Sequence, residues 1–177
     1  MDSTLSFPRQ RGFTLVEAGV VIAVLAAAVT VAVPGLQRVI EQRRLDAAAT
    51  QLAATLQLAR SESLARNRVV RLAHDAATGC TLLHTGAAGA CRCTPRGEAD
   101  CAAGAVLIRS SGATPGVSIQ SNTASLAFDP QHGTVTPTAT WRVVAARDGR
   151  AVHHVINLMG RVRSCSPNAA VPGYRAC

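Results

Sequence analysis

The fold is decided by residues 13–36, which read FTLVEAGVVIAVLAAAVTVAVPGL. These 24 residues contain one charged side chain, Glu17, and as a helix rising about 1.5 Å per residue they would cross a hydrocarbon core of roughly 30 Å. Arg9 and Arg11 precede the run, so we expect a cytoplasmic N-terminus and an exported remainder. The run is too long for an ordinary signal peptide and has no A-x-A site at its far end, so we expect it to stay with the protein.

Two residues of this segment are unusual for a plain membrane anchor. A carboxylate such as Glu17 costs about 2.5–3.5 kcal/mol inside a bilayer and therefore normally has a partner or a function. Pro34 has no backbone N–H, so we expect it to kink or locally break a helix. The segment therefore does more than hold the chain in the membrane.

Residues 12–17, GFTLVE, resemble the processing motif of type IV prepilins and pseudopilins. The resemblance implies that a prepilin peptidase removes a leader of residues 1–12 by cutting after Gly12, and that Phe13 becomes the N-methylated first residue. It also implies that Glu17 neutralises the N-terminal amine of a neighbouring pilin during assembly. An ammonium and a carboxylate buried in an apolar bundle are tolerable only as a pair, so the chemistry agrees with this role.

The remainder of the chain predicts one more helix and then a β-rich head. From Leu45 to Leu64 apolar residues recur every three or four positions, which predicts an amphipathic helix over residues 37–67 with Arg60 on its solvated face. Short apolar runs separated by Gly, Pro, Asn and Asp predict strands at 69–73, 80–84, 105–110, 117–120, 125–128, 140–146 and 151–159. The predicted fold class is α+β: the type IV pilin fold, with a long N-terminal α-helix, transmembrane over residues 13–36, packed on a mainly antiparallel β head over residues 68–177.

Three later motifs narrow the resemblance to the GspH/FimT family of minor pilins and pseudopilins. They are residues 58–62 (LARSE), 128–133 (FDPQHG) and 160–165 (GRVRSC), of which the last is the closest match. Members of the FimT kind with a C-terminal GRxR motif bind DNA and serve its uptake in natural transformation. The resemblance thus implies double-stranded DNA and other major and minor pilins as partners. It also implies the inner membrane as the site before assembly, with the head in the periplasm and later in a pilus at the cell surface.

The positive charge is concentrated at the C-terminus. All 18 basic residues are arginines and the net charge is +8, while the last 37 residues carry six arginines and one acid, Asp148. After a turn at Gly160, extended backbone would point Arg161 and Arg163 to the same side, where two guanidinium groups could bind successive phosphates regardless of base sequence. By resemblance Gly160, Arg161 and Arg163 form the DNA site, with Arg150 and Arg175 as supporting residues.

Other interpretations of these arginines stay open. They could be solvated, paired with an acidic neighbouring subunit, or reflect a GC-rich genome. The chain could then be a structural minor pseudopilin of a type II secretion pseudopilus, or a subunit that initiates pilus assembly. Adhesion to another anionic polymer, such as heparin or teichoic acid, is a third possibility.

Six cysteines without a strict CxxC pair favour disulfides in an oxidising compartment. A bond between Cys165 and Cys177 would close a loop just after the arginines and stiffen the tail. The other four cysteines are expected to form two local disulfides whose connectivity the spacing leaves open: Cys80, Cys91, Cys93 and Cys101. Their spacing does not produce the paired ligand knuckles of a structural zinc site, so we expect no metal and no cofactor.

Several other function classes are disfavoured. The chain shows no nucleophile elbow, P-loop, dinucleotide fingerprint or HExxH motif, and adjacent His153 and His154 would point to opposite faces of a strand, so we expect no catalysis. Only five aromatic residues are present, too few for a stacking platform for single-stranded nucleic acid.

Overall fold

A computed structural model of the chain describes residues 14–96 and 98–177. The predicted leader, residues 1–12, and Phe13 lie outside the described residues, so the predicted cleavage after Gly12 stays a prediction. The helix α1 runs over Leu15–Arg66, 52 residues, without interruption. The helix does not break at Pro34, so that half of the expectation is wrong, while a kink there stays a prediction. A proline in a helix interior removes one hydrogen bond, and the bonds of the flanking turns keep the backbone helical.

The chain divides into two compact units, Met1–Ile40 and Glu41–Cys177. In the described part of the first unit the large apolar side chains are exposed, among them Val20 at 57%, Ile22 at 67% and Leu25 at 58%. By length and composition α1 is able to cross a membrane, as the only such helix among residues 14–96 and 98–177. Apolar side chains exposed to this extent suit burial in lipid or in a fibre.

The second unit begins with the part of α1 that carries the apolar stripe. Six predicted stripe residues are buried: Leu45, Ala48, Ala49, Leu52, Leu56 and Ala59. Leu64 is instead 47% exposed, and fully buried Ser63 lies near the end of the stripe, its hydroxyl donating to the carbonyl of Arg60 at 2.8 Å. Arg60, predicted on the solvated face, is half-buried. The stripe therefore rotates away from the predicted face in the last turns of the helix.

Among the described residues, eleven strands follow the helix and form three antiparallel sheets. The first sheet has the order β5-β2-β1-β7-β8, the second the order β11-β10-β9-β6, and the third is the β3–β4 hairpin. The strands are β1 (Val70–Asp75), β2 (Cys80–Thr85), β3 (Cys91–Cys93), β4 (Ala99–Cys101), β5 (Leu107–Ser111), β6 (Val117–Ser121), β7 (Ser125–Phe128), β8 (Val135–Thr136), β9 (Ala139–Ala145), β10 (Ala151–Ile156) and β11 (Val162–Cys165).

The core of this unit lies between α1 and the two larger sheets. Phe128 and Trp141 are its largest side chains, and neither has exposed surface. A second, smaller cluster is formed by Cys80, Leu82 and Cys91, where the β3–β4 hairpin packs on β2. Every buried residue of both clusters lies between Leu45 and Cys177, so the unit contains its own core.

Each of the seven predicted strands overlaps an observed one, and β3, β4, β8 and β11 were not among them. These four strands have two to four residues each, which is too short for a period of two to be visible. The last predicted strand, 151–159, ends early at Ile156 because the chain turns at Asn157.

Candidate functional site

The turn between β10 and β11 is closed by Asn157. Its N–H donates to the carbonyl of Arg161 at 3.2 Å, and its own carbonyl accepts the N–H of Gly160 at 2.9 Å. Its side-chain Oδ1 accepts the N–H of Arg161 at 2.9 Å. Asn157 thus holds both ends of the turn, a role that sequence reasoning missed although asparagine is typical of such turns. We call β10, this turn and β11 the GRVR hairpin.

Gly160 is required at this turn for two reasons. Its φ is +69°, a conformation that favours glycine, and it is buried. A Cβ at this position would also lie 2.8 Å from the carbonyl oxygen of Gly133. Gly160 therefore lies where it was predicted to act, and it fixes the direction in which β11 leaves the turn.

The register of the hairpin presents Arg161 and Arg163 to solvent. Val162 pairs with Ile156, which is 1% exposed, and Val162 packs against the core. The flanking Arg161 and Arg163 are both exposed, and Val155, which pairs with Arg163, is 41% exposed. Alternation along the strand thus places both arginines on the outer side of the hairpin.

Neither arginine is neutralised within the part of the chain that the structure describes. The ion pairs found there are Glu62–Arg66, Asp129–His132, Glu41–Arg147 and Asp148–Arg150. Both guanidinium groups of the hairpin therefore keep their full charge and their donors for an external anion.

Arg150, predicted as a supporting residue, is in a different situation. Its Nε donates to Asp148 Oδ2 at 2.6 Å and its backbone N–H donates to Asp148 Oδ1 at 3.1 Å. The guanidinium is 23% exposed and faces a carboxylate, so its charge is largely balanced inside the chain. Arg150 is therefore a weaker anion ligand than Arg161 or Arg163.

The C-terminal tail is fastened to the hairpin at several points. Cys165 and Cys177 form a disulfide, and the buried Ser166 hydroxyl donates to the carbonyl of Ala151 at 2.9 Å and accepts the N–H of Val171 at 3.2 Å. Val171 is fully buried in the core. We call residues 166–177 the tail loop. Arg175 is exposed on it, and the Ser166 N–H donates to the Arg175 carbonyl at 2.8 Å, which holds that backbone in place.

The other four cysteines form the disulfides Cys80–Cys93 and Cys91–Cys101. These bonds attach the β3–β4 hairpin to β2 and supply the connectivity that the spacing left open. All four sulfurs are in disulfides and therefore are not thiolate ligands in this structure. Within residues 14–96 and 98–177 no group of three or more His, Cys, Asp or Glu side chains could hold a metal ion.

His153 and His154 are adjacent on β10, point to opposite sides of the strand and differ in burial. His154 is 1% exposed, its Nδ1 lies 2.9 Å from Ser164 Oγ, and burial lowers its pKa to about 4. His153 is half-buried on the opposite side of the strand, and burial together with the charge of Arg142 lowers its pKa. Both imidazoles are therefore neutral at pH 7, and neither adds charge to the site.

Arg142 extends the basic surface onto the next strand. It pairs with His153 across β9 and β10 and is exposed between buried Trp141 and Val143. It was not predicted as a site residue, although the alternation of buried and exposed residues in β9 is a signal that could have identified it. The outer face of the second sheet thus carries Arg142 and Arg163 two strands apart.

The arrangement of one long N-terminal helix packed on antiparallel sheets is the type IV pilin fold. Two crystal structures of the type IV minor pilin FimU from Pseudomonas aeruginosa match it at TM-scores of 0.56 and 0.53, with 20% and 18% identity, covering 76% and 73% of this chain and 96% and 98% of theirs. The minor pseudopilin EpsH from the type 2 secretion system of Vibrio cholerae matches at a TM-score of 0.51 with 12% identity, covering 70% of this chain and 98% of its own. At these identities the likeness shows the fold.

The family is shown by sequence as well. The model of the family described as type II transport protein GspH matches residues 48–160. The chain belongs to this family and is a minor pilin or pseudopilin, a fibre subunit that associates with other pilins and not an enzyme. Its apolar N-terminal helix has the length and composition that fit the membrane anchor of a pilin. Among curated proteins no relative matches this sequence.

Proposed function

We propose that this minor pilin binds extracellular double-stranded DNA through Arg161 and Arg163, with Arg175 in support, and serves DNA uptake in natural transformation. The observation that carries the proposal is the pair of exposed guanidinium groups without an acidic partner on a hairpin fixed by Asn157, Gly160 and a disulfide. A preformed site loses little conformational entropy on binding.

The chemistry favours phosphate as the ligand. An arginine fork donates two parallel hydrogen bonds to a phosphate, and repeated phosphates allow neighbouring arginines to bind one polymer. Such binding displaces counterions, so it is independent of base sequence and falls steeply with salt. The sheet face next to the hairpin presents Arg142 with the same sign of charge.

The membrane stage of the proposal rests on the N-terminal segment. A prepilin peptidase would remove residues 1–12 after Gly12, Phe13 would be methylated, and Glu17 would pair with the amine of a neighbouring pilin. Before assembly the chain would cross the inner membrane once, with the head in the periplasm. The assembled subunit would then present the GRVR hairpin to DNA outside the cell, and retraction would be driven by other proteins.

A structural role in a type II secretion pseudopilus, or in the initiation of pilus assembly, is the second candidate. It is favoured by the description of the matching family and by the likeness to EpsH. In that role the arginines of the hairpin would contact an acidic neighbouring subunit or a secreted protein.

A cellular experiment separates the two roles. Cells that lack the wild-type chain would express the Arg161→Ala/Arg163→Ala variant or the control Arg43→Ala/Arg44→Ala, which removes two exposed arginines from α1. We expect the hairpin variant to lose transformation at least about tenfold while pilus number and protein secretion stay normal, and the control to match wild type. Unchanged transformation together with lost secretion would overturn the DNA proposal and support the pseudopilus role.

A further inference from the structure

A groove lies between the last turns of α1 and the turn of the GRVR hairpin. Its volume is about 360 Å³. Among its lining residues are Gln57, Arg60, Ser61 and Leu64 of α1, and Gly160 and Arg161 of the turn. Arg161, which is proposed to bind DNA, therefore lies on one side of the groove, and α1 forms the other side.

Two glycines make room for the Arg60 side chain beside this groove. A Cβ on Gly133 would lie 3.1 Å from Arg60 Nε and 3.4 Å from its Nη2, and a Cβ on Gly160 would lie 3.3 Å from Arg60 Cδ. Both glycines have positive φ, +61° and +69°. The backbone of two separate turns thus borders the half-buried Arg60 side chain, which restricts its motion before any ligand is present.

Arg60 has no anionic partner among the residues that the structure describes. The acid nearest to it along the helix, Glu62, pairs with Arg66. The carboxylate of Asp129, in the turn that contains Gly133, accepts the N–H groups of Gln131 at 3.0 Å and His132 at 2.8 Å. A guanidinium that is partly removed from water and lacks a counterion gains most from binding an anion.

We propose that Arg60 and Arg161 together hold one phosphate group of the bound DNA in this groove. The inference rests on the proposed function and extends the binding track from the edge of the second sheet onto α1. The side-chain amide of Gln57 supplies further donors at the same place, and none of the described residues that line the groove is a carboxylate. A phosphodiester accepts from two arginine forks at once, so Arg60 acts as a second anchor beside the exposed hairpin.

The test compares Arg60→Gln with the matched control Arg44→Gln. Both changes remove one positive charge from α1, at positions about 24 Å apart along the helix. Binding of a 20-base-pair duplex to the oxidised full chain in non-ionic detergent would be measured across a salt series. We expect Arg60→Gln to weaken binding about tenfold and to lower the salt slope by about 0.9, and Arg44→Gln to change affinity less than about twofold.

The variant Arg60→Lys and a test of folding distinguish a lost phosphate contact from a lost fold. Arg60→Lys retains the charge and loses the fork, so we expect it to recover part of the affinity and the wild-type salt slope. Thermal melts would show which variants keep the fold, and Arg60→Lys carries the test if Arg60→Gln does not. If the Arg60 variants match Arg44→Gln while Arg161→Ala/Arg163→Ala loses binding, the inference is wrong and the proposed function stands.

The remaining outcomes address the ligand. If no variant alters DNA binding, the proposed function fails, and the inference fails with it. Hexaglutamate would be tested as a competitor, because a carboxylate of a neighbouring subunit is the other anion that could occupy the groove. Binding of hexaglutamate that is tighter than that of the duplex and depends on Arg60 would overturn the assignment to DNA.

Discussion

Two arginine-bearing segments of the head are closed by disulfides, and they differ in the acids that accompany the arginines. The β3–β4 hairpin carries Arg92 and Arg96 together with Glu98 and Asp100, and its register places Arg92 opposite Asp100. The GRVR hairpin and tail loop carry three arginines and no acidic side chain from residue 151 to the C-terminus. Both segments are thus closed by disulfides, but the positive charge of the GRVR hairpin and tail loop is not balanced by acidic residues of the same segment. This difference distinguishes a segment that stabilises the head from a segment arranged to bind an anion.

The largest expected effects come from removing the disulfides. Cys165→Ser with Cys177→Ser opens a loop of sequence separation 12, and Cys91→Ser with Cys101→Ser opens one of separation 10. Each pair should lower the free energy of unfolding by about 3 kcal/mol, measured by urea denaturation. Only the first pair should also weaken DNA binding, by about three- to tenfold, because Arg175 and the end of β11 lose their fixed positions. Equal DNA affinities of the two disulfide variants would contradict the view that the Cys165–Cys177 disulfide positions the DNA site.

Acid should lower the stability of the head through His154 of the GRVR hairpin. The folded-state pKa of His154, about 4, is below the ordinary value of 6.5 because the imidazole is buried. The unfolded chain therefore binds a proton first as pH falls. Stability from this residue is complete above pH 6.5 and is lost progressively down to about pH 4, by roughly 2–3 kcal/mol.

The variant His154→Gln isolates this effect. Glutamine does not titrate, so the free energy of unfolding should change less between pH 6.5 and pH 4 than in the wild-type chain. The measurement is urea denaturation at half-unit pH steps. An identical pH profile for both proteins would show that protonation of His154 does not limit stability in acid.

Glycine-to-alanine substitutions in the two segments should differ in their cost to stability, by a smaller amount than the effects above. Gly160→Ala introduces a positive-φ alanine and a Cβ 2.8 Å from the carbonyl oxygen of Gly133, whereas Gly89→Ala, in the chain leading to β3, meets positive φ (+76°) with open space around it. The second change should cost about 1–2 kcal/mol and the first at least about 1 kcal/mol more. Thermal melts of both variants give the comparison, and a Gly160→Ala variant as stable as Gly89→Ala would mean that the turn can shift to relieve the contact.

The sequence was sufficient to predict the architecture, because the apolar patterns that indicate the long helix extend over many residues. The apolar run of residues 13–36 and the stripe from Leu45 to Ala59 extend over several helical turns, and the strands of five or more residues show turn signals at their ends. The short strands were missed because their position depends on tertiary contacts: β3 and β4 are held by disulfides, and β8 is a two-residue pair with β7. A break at Pro34, one of the two effects expected of this proline, does not occur because the flanking turns of a long helix keep the backbone helical.

The candidate site was predictable in part. Gly160, Arg161 and Arg163 are adjacent in sequence, so a motif and the alternation of a strand identify them. The pairing of Arg150 with Asp148 and the burial of Arg60 beside Gly133 and Gly160 depend on distances between separate turns, which spacing does not encode. The same applies to Ser166, whose buried hydroxyl joins β10 to the tail loop.

The most direct measurement is the DNA affinity of the oxidised chain, in detergent, as a function of salt for three proteins. These are the wild type, Arg161→Ala/Arg163→Ala, and Arg92→Ala/Arg96→Ala as the control that removes two arginines from the β3–β4 hairpin. We predict that the hairpin variant loses roughly 30- to 100-fold in affinity at low salt and about 1.8 in salt slope, while the control stays within about threefold of wild type. Equal losses in both variants, or an unchanged slope for Arg161→Ala/Arg163→Ala, would contradict a DNA site on the GRVR hairpin.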